Sequence, residues 1–175
     1  GGKGTVVELA ASGARLEGFV VRGSGRSLAR DDAGVLVTAR DAAVAGNRFE
    51  DVLFGVSVQE APGTVVARNA IRGKALDIAR RGDAIRIWQS RGARVERNVV
   101  EHGRDVVLWY SNGLAVRGNR VERSRYGLHF MYCDDAEISG NVLADNSVGA
   151  FLMYSRRVGF LRHTVARNAG ASRYG

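Results

Sequence analysis

Asparagine recurs at Asn47, Asn69, Asn98, Asn119 and Asn141, with His163 in the next place, at intervals of 22, 29, 21, 22 and 22 residues. A self-similarity of this period restricts a chain to a stack of equivalent supersecondary units. In such a stack each unit contacts only its neighbours, so the period also states which side chains lie beside one another.

Aligned on the asparagine, each repeat has two parts. The first places an apolar residue three before Asn and another two after it, as in Val44/Asn47/Phe49, Val95/Asn98/Val100 and Ile138/Asn141/Leu143. The second is an alternating stretch about eight residues later: 55–59, 84–88, 105–109, 127–131 and 149–153. Period-two alternation rich in β-branched and aromatic residues predicts strands, and no stretch sustains a 3.6-residue period. A leucine-rich repeat is the rival, because Leu114 to Val121 fits its consensus. It would place helical residues where this chain has its second alternating strand. The expectation is therefore an all-β chain, a right-handed parallel β-helix with ~22-residue coils in which equivalent residues stack ~4.8 Å apart. The asparagines form a structural ladder, tolerating tight-turn dihedrals and bonding through their amides to the asparagines above and below, with His163 as a substitute rung. Residues 1–175 read as a single β-helix domain, an internal piece of a longer solenoid, since neither end shows a polar cap. The closing Arg173-Tyr174-Gly175 repeats the triplet at Arg125-Tyr126-Gly127.

The alignment separates the faces of the second strand. The columns Val56/Ile85/Val106/Leu128/Ala150 and Val58/Ile87/Leu108/Phe130/Leu152 are apolar throughout and should face the core. The opposite parity should face out: Ser57/Arg86/Val107/His129/Phe151 and Gln59/Trp88/Trp109/Met131/Met153. Large apolar side chains stacked on a solvent face mark an interaction site. Trp88, Trp109, Met131, Met153, His129, Arg86 and Phe151 are accordingly the candidate partner-binding residues. The alternative is that a loop covers them, and Lys74 to Gly82 is expected next to this face. That loop and Gly23 to Ala33 occupy the two longer regions, where function tends to sit.

The same face carries soft metal ligands. His129, Met131 and Cys133 stand at i, i+2 and i+4, on one side of a straight strand, and Met153 stacks beside Met131. Thioether, thiol and imidazole suit Cu(I), so His129, Met131 and Met153 are the candidate metal residues and copper is the cofactor to test. Asp83 and Asp105, with Arg81, Arg86 and Arg104 nearby, could serve an acid/base site on a polysaccharide, but such groups are more often surface ion pairs of little energetic value. His102 is expected to be a solvated turn residue in a column with Arg123 and Asp145.

The formal charge of +8 is carried almost wholly by arginine. The arginines are spread over all repeats, which favours a solvated surface over a nucleic-acid site. One cysteine excludes an internal disulfide, and no apolar run reaches the ~18 residues of a membrane span. No Ser-His-Asp order, phosphate loop or dinucleotide fingerprint is present, so no catalytic residue is assigned.

Three segments resemble the NosD family: residues 81–88 (Arg-Gly-Asp-Ala-Ile-Arg-Ile-Trp), 125–132 and 148–156, with 16–25 as a weaker fourth. The block from 125 to 156 is the specific part. The resemblance implies a periplasmic, non-enzymatic β-helix protein acting with an ABC transporter in maturing the copper centre of nitrous oxide reductase. Its implied partners are the transporter's membrane subunit, a copper chaperone and the reductase. The readings that compete are a β-helix enzyme acting on acidic polysaccharide, such as a lyase or epimerase, and a nucleic-acid binder.

Overall fold

The computed structural model describes residues 2–169; the terminal triplet Arg173-Tyr174-Gly175 lies outside them. The chain is a right-handed parallel β-helix. Three sheets of seven strands run along it, and every strand pairs in parallel with its equivalents in the neighbouring coils. One coil contributes Asp105–Trp109 to the first sheet, Ala115–Arg117 to the second and Arg120–Glu122 to the third. The two-part repeat is thus three strands: those of the second and third sheets flank each asparagine, one residue pointing inward from each. Val95, Val100, Val116 and Val121 are fully buried there. The alternating strand of the first sheet supplies the rest of the core, with Val58, Ile87, Leu108 and Phe130 at 0% exposure. Leu152, expected in that column, is exposed; it lies on the last described strand of the first sheet, which has a neighbour on one side only.

Corners are made by left-handed residues in register. In consecutive coils they are Gln89, Gly92, Arg97 and His102, then Tyr110, Gly113, Gly118 and Arg123, then Tyr132, Asp135, Gly140 and Asp145. The asparagines are not among them, which corrects the expectation that they take the turn dihedral. The residue before each takes it (Gly46, Arg68, Arg97, Gly118, Gly140) and Arg162 does so before His163. The asparagine is then free to satisfy the broken backbone. Asn98 shows the pattern: its Nδ2 donates to the Val66 carbonyl and to Asn119 Oδ1 at 2.9 Å each. Its Oδ1 accepts from the Asn69 backbone N–H and from Asn69 Nδ2, both at 3.0 Å. His163 continues the ladder: Nδ1 accepts from the Asn141 backbone N–H at 3.1 Å, so Nε2 carries the proton and donates to the Ile138 carbonyl at 3.2 Å.

Two further ladders were not evident from the asparagine spacing. Ser124, Asn146 and Asn168 form one at the corner entering the first sheet: Asn146 Oδ1 accepts the Ser124 backbone N–H and Asn168 Oδ1 accepts that of Asn146, both at 3.0 Å. Ser90, Ser111, Cys133 and Ser155 form the other at the corner leaving it. The Ser90 backbone N–H donates to Ser111 Oγ at 2.9 Å, that of Ser111 to Cys133 Sγ at 3.4 Å, and that of Cys133 to Ser155 Oγ at 3.0 Å.

Candidate functional site on the first sheet

The outer face of the first sheet brings the predicted residues into register. Trp88 lies beside Trp109, Trp109 beside Met131, and Met131 beside Met153; His129 lies beside Phe151. Trp109 and Phe151 are exposed, and Trp88, Met131 and Met153 are half-buried. The column is continuous across four coils. The inner of the two outward columns is drier than expected, because Ser57 and Val107 are buried.

A larger exposed feature adjoins this column. Tyr110, Tyr132 and Tyr154 follow Trp109, Met131 and Met153 and occupy the left-handed corner. Their rings stack at 4.8 and 4.9 Å between centroids, within 14° of parallel, and Trp109 stacks on Tyr110 at 5.6 Å. Exposure rises to 67% at Tyr154. The sequence carried a signal for these residues in their spacing, 110, 132 and 154, which alternation alone does not single out. Tyr132 and Tyr154 wall a groove of about 560 Å³ with Asn112, Asp134, Ser155 and Arg156.

Cys133 does not belong to this face. Tyr132 is left-handed at φ 54°, which reverses the alternation after Met131 and turns Cys133 into the core at 0% exposure. Its Sγ lies 3.2 Å from the Leu108 carbonyl and 3.3 Å from that of Met131. Burial raises the thiol pKa above its usual value, which further disfavours a thiolate ligand. The soft donors left outside are the thioethers of Met131 and Met153, in lateral register on adjacent strands ~4.8 Å apart.

His129 sits in a different setting from the methionines. The register slips between Asp105 and Val107 where their strand meets Tyr126–Met131. Bulges of this kind re-aim side chains. Asp105, buried there, accepts from Arg125 Nε at 3.0 Å and from the Tyr126 backbone N–H at 3.2 Å, and His129 Nδ1 lies 3.4 Å from its Oδ2. Burial pushes the Asp105 carboxyl up, but the bonds from His129 and Arg125 outweigh it and hold it below its usual value. Tyr126 and Phe151 stack 5.3 Å apart, each against the imidazole. Under these rings His129 Nε2 is buried without a hydrogen-bond partner.

The other carboxylate is also committed. Asp83 pairs with Arg86 at 3.0 Å, and Arg86 pairs with Asp31 from the first loop while lying 4.4 Å over the Phe54 ring. Desolvation dominates at Asp83 and raises its pKa despite Arg86. Asp31, Gln59, Arg86, Trp88 and Trp109 close a small pocket of about 220 Å³. Asp83 and Asp105 are therefore buried ion-pair partners rather than an open acid/base pair. Arg86 holds Asp83, as expected, but Arg125 holds Asp105, and among the described residues Arg81 and Arg104 make no ion pair with either.

The loop Lys74 to Gly82 leaves the Trp/Met column uncovered. It folds over the opposite end of these strands, at the corner between the third and first sheets. Leu76 packs on Ala33, Leu53 and Phe54, and Arg81 donates from Nη1 to the Arg123 carbonyl. His102, expected to be solvated, is half-buried beneath it.

A family model described as "Periplasmic copper-binding protein (NosD)" matches residues 67–174, the coils that carry this face. The chain belongs to the NosD family. A "Probable ABC transporter binding protein NosD" from Pseudomonas aeruginosa is 33% identical over 108 residues, which cover 60% of this chain and 25% of that protein. The chain thus spans about a quarter of the length of this curated relative. The NosD-matched region includes Trp88, Trp109, Met131 and Met153 as well as the tyrosine stack and the bulge at Asp105. Among the described residues no group of three or more His, Cys, Asp and Glu is arranged to hold a metal ion, and no helix is long and apolar enough to cross a membrane. The His129 nitrogen free to ligate is roofed by aromatic rings, while the two thioethers open outward. Two thioethers and one roofed imidazole do not make the closed coordination shell of a resident metal.

Proposed function

We propose that this chain is the β-helix scaffold of a periplasmic, non-enzymatic accessory protein that serves copper-centre maturation in nitrous oxide reductase together with an ABC transporter. The observation that carries the reading is the unbroken outward column Trp88-Trp109-Met131-Met153 with the exposed tyrosine stack at its edge. Aromatic and methionine side chains on a rigid sheet suit a protein-contact face, and thioethers suit Cu(I) as cargo. Family membership supports the copper and periplasmic elements, and the relative's printed name supports the transporter as a partner. The copper chaperone and the reductase are proposed as the other partners of this face. The test is the copper content of the reductase purified from cells carrying the His129→Ala/Met131→Ala/Met153→Ala variant in the full-length protein, beside a Trp109→Ser/Tyr132→Ala variant. Loss of copper loading is expected in both, with circular dichroism unchanged. Normal loading in both would remove the function from this face; loss in the second alone would assign the face to protein contact without copper.

A further inference from the structure

The longest interval of the repeat builds a second site, remote from the Trp/Met column. Residues 74–82 leave the coil after Ala70–Gly73, form the 3₁₀ turn Ile78–Arg80 and return at Gly82. Between this excursion and the next coil lies a cavity of about 520 Å³, lined by Arg72, Gly73, Ala75, Leu76, Asp77, Arg80, Arg81 and His102. That volume lies in the range of small-molecule sites. Three guanidinium groups and an imidazole face one carboxylate, Asp77.

These cations are not neutralised where they gather. Many arginines elsewhere are paired with carboxylates, as in Arg117–Glu137, Arg157–Asp135 and Arg167–Asp145. Among the described residues, Arg72, Arg80 and Arg81 make no ion pair, since Arg81 spends its bonds on the carbonyls of Leu76 and Arg123. Those two bonds fix the Arg81 side chain across the corner, so one wall is preorganised. The approach of the backbones is close as well: a Cβ on Gly73 would meet the His102 carbonyl oxygen at 2.4 Å. The His102 pKa is lowered, first by burial and then by Arg81, Arg123 and Arg72, with Glu101 opposing. Three guanidinium groups against the one carboxylate of Asp77 give this cavity an excess of positive charge.

We infer that this cavity is a binding site for a phosphate- or sulfate-type oxyanion, borne on a small polar body or on a lipid headgroup, held by Arg72, Arg80 and Arg81. Guanidinium forks match the planar pairs of oxygens that such anions present. A bound anion would favour the imidazolium of His102, so the ring reports occupancy.

The test follows the His102 ring resonances by NMR at low ionic strength while inorganic phosphate is titrated, then vesicles of phosphatidylglycerol or of phosphatidylcholine. A saturable shift of His102 with phosphate, with His163 unmoved, is expected. The Arg72→Gln/Arg80→Gln variant should weaken binding by about a hundredfold, taking a factor of ten for each charged contact removed. Both side chains are exposed and bond to no side chain or carbonyl among the described residues, so this variant should melt as the parent does. A response to phosphatidylglycerol but not phosphatidylcholine vesicles would assign the anion to a headgroup; a response to phosphate alone would assign it to a free solute. No saturable shift with either anionic probe, or equal affinity in the double variant, would overturn the proposal.

Discussion

Cys133 shows how much a single dihedral decides. It stands in the column of Ser90, Ser111 and Ser155, and it does what they do, accepting a backbone N–H from the coil before and pointing back to the carbonyl two residues earlier. The spacing of these four residues, 21 and 22 apart, aligns them in one column, but it does not give the direction they point. Alternation extrapolated past Met131 puts Cys133 outside, whereas a left-handed Tyr132 puts it inside. The readable clue was the small size of every member, which suits a buried ladder better than a surface. Cys133→Ser should therefore change unfolding free energy by less than about 1 kcal/mol, because hydroxyl and thiol make the same bonds. The native thiol should react with a maleimide far more slowly than the urea-unfolded chain, being buried and held as the thiol. Labelling at the unfolded rate would place the sulfur at the surface.

At the scale of the strand, the bulge beside Asp105 sets the chemistry of the middle coils. Repeat spacing locates the strand, but a one-residue slip within it depends on how two coils of unequal length are reconciled, and that cannot be read from one of them. Asp105 is held below its ordinary pKa, so its ionisation stabilises the fold above that value, and the contribution is lost as pH falls through the depressed one. Asp83 is raised, so any stability its neutral form contributes is lost as pH rises from its ordinary value through the raised one. At neutral pH, Asp105→Asn should cost about 3 kcal/mol by leaving Arg125 and His129 without a charge partner, and it should flatten the loss of stability below about pH 4. Asp83→Asn should cost less, since burial already favours an uncharged group and Arg86 retains Asp31. Urea unfolding of both variants from neutral to acid pH checks this; equal costs would contradict the opposite shifts.

The whole molecule is organised by the asparagine ladder, and here the sequence was most informative. Period, coil-to-coil pairing, the asparagine ladder and the core columns short of Leu152 followed from one spaced residue, because a solenoid turns sequence separation directly into adjacency. The side on which the Lys74 to Gly82 loop folds did not follow, because an insertion is free of the repeat that aligns everything else. The ladder also ranks its own rungs. Asn98→Ala would strand the Val66 carbonyl, the Asn69 backbone N–H and the Asn69 amide. At about 1 kcal/mol for each group the loss is about 3 kcal/mol, or roughly 6–12 °C in Tm for a chain of this size. Asn47→Ala at the ladder's beginning should cost less, because Asn47 Oδ1 accepts from the Phe19 backbone N–H and no side-chain amide lies before it. Thermal melts that rank Asn47 above Asn98 would refute the hierarchy.

The ladder is directional from rung to rung: Asn47, Asn69, Asn98 and Asn119 each give an amide hydrogen to the asparagine that follows, while the amide also donates to a carbonyl of the coil before. A rung is therefore incomplete only until the next 21 to 29 residues arrive. A chain delivered N-terminus first can close its coils in the order in which they emerge. At any moment the length still waiting for a partner is about one turn, however many turns the finished solenoid contains.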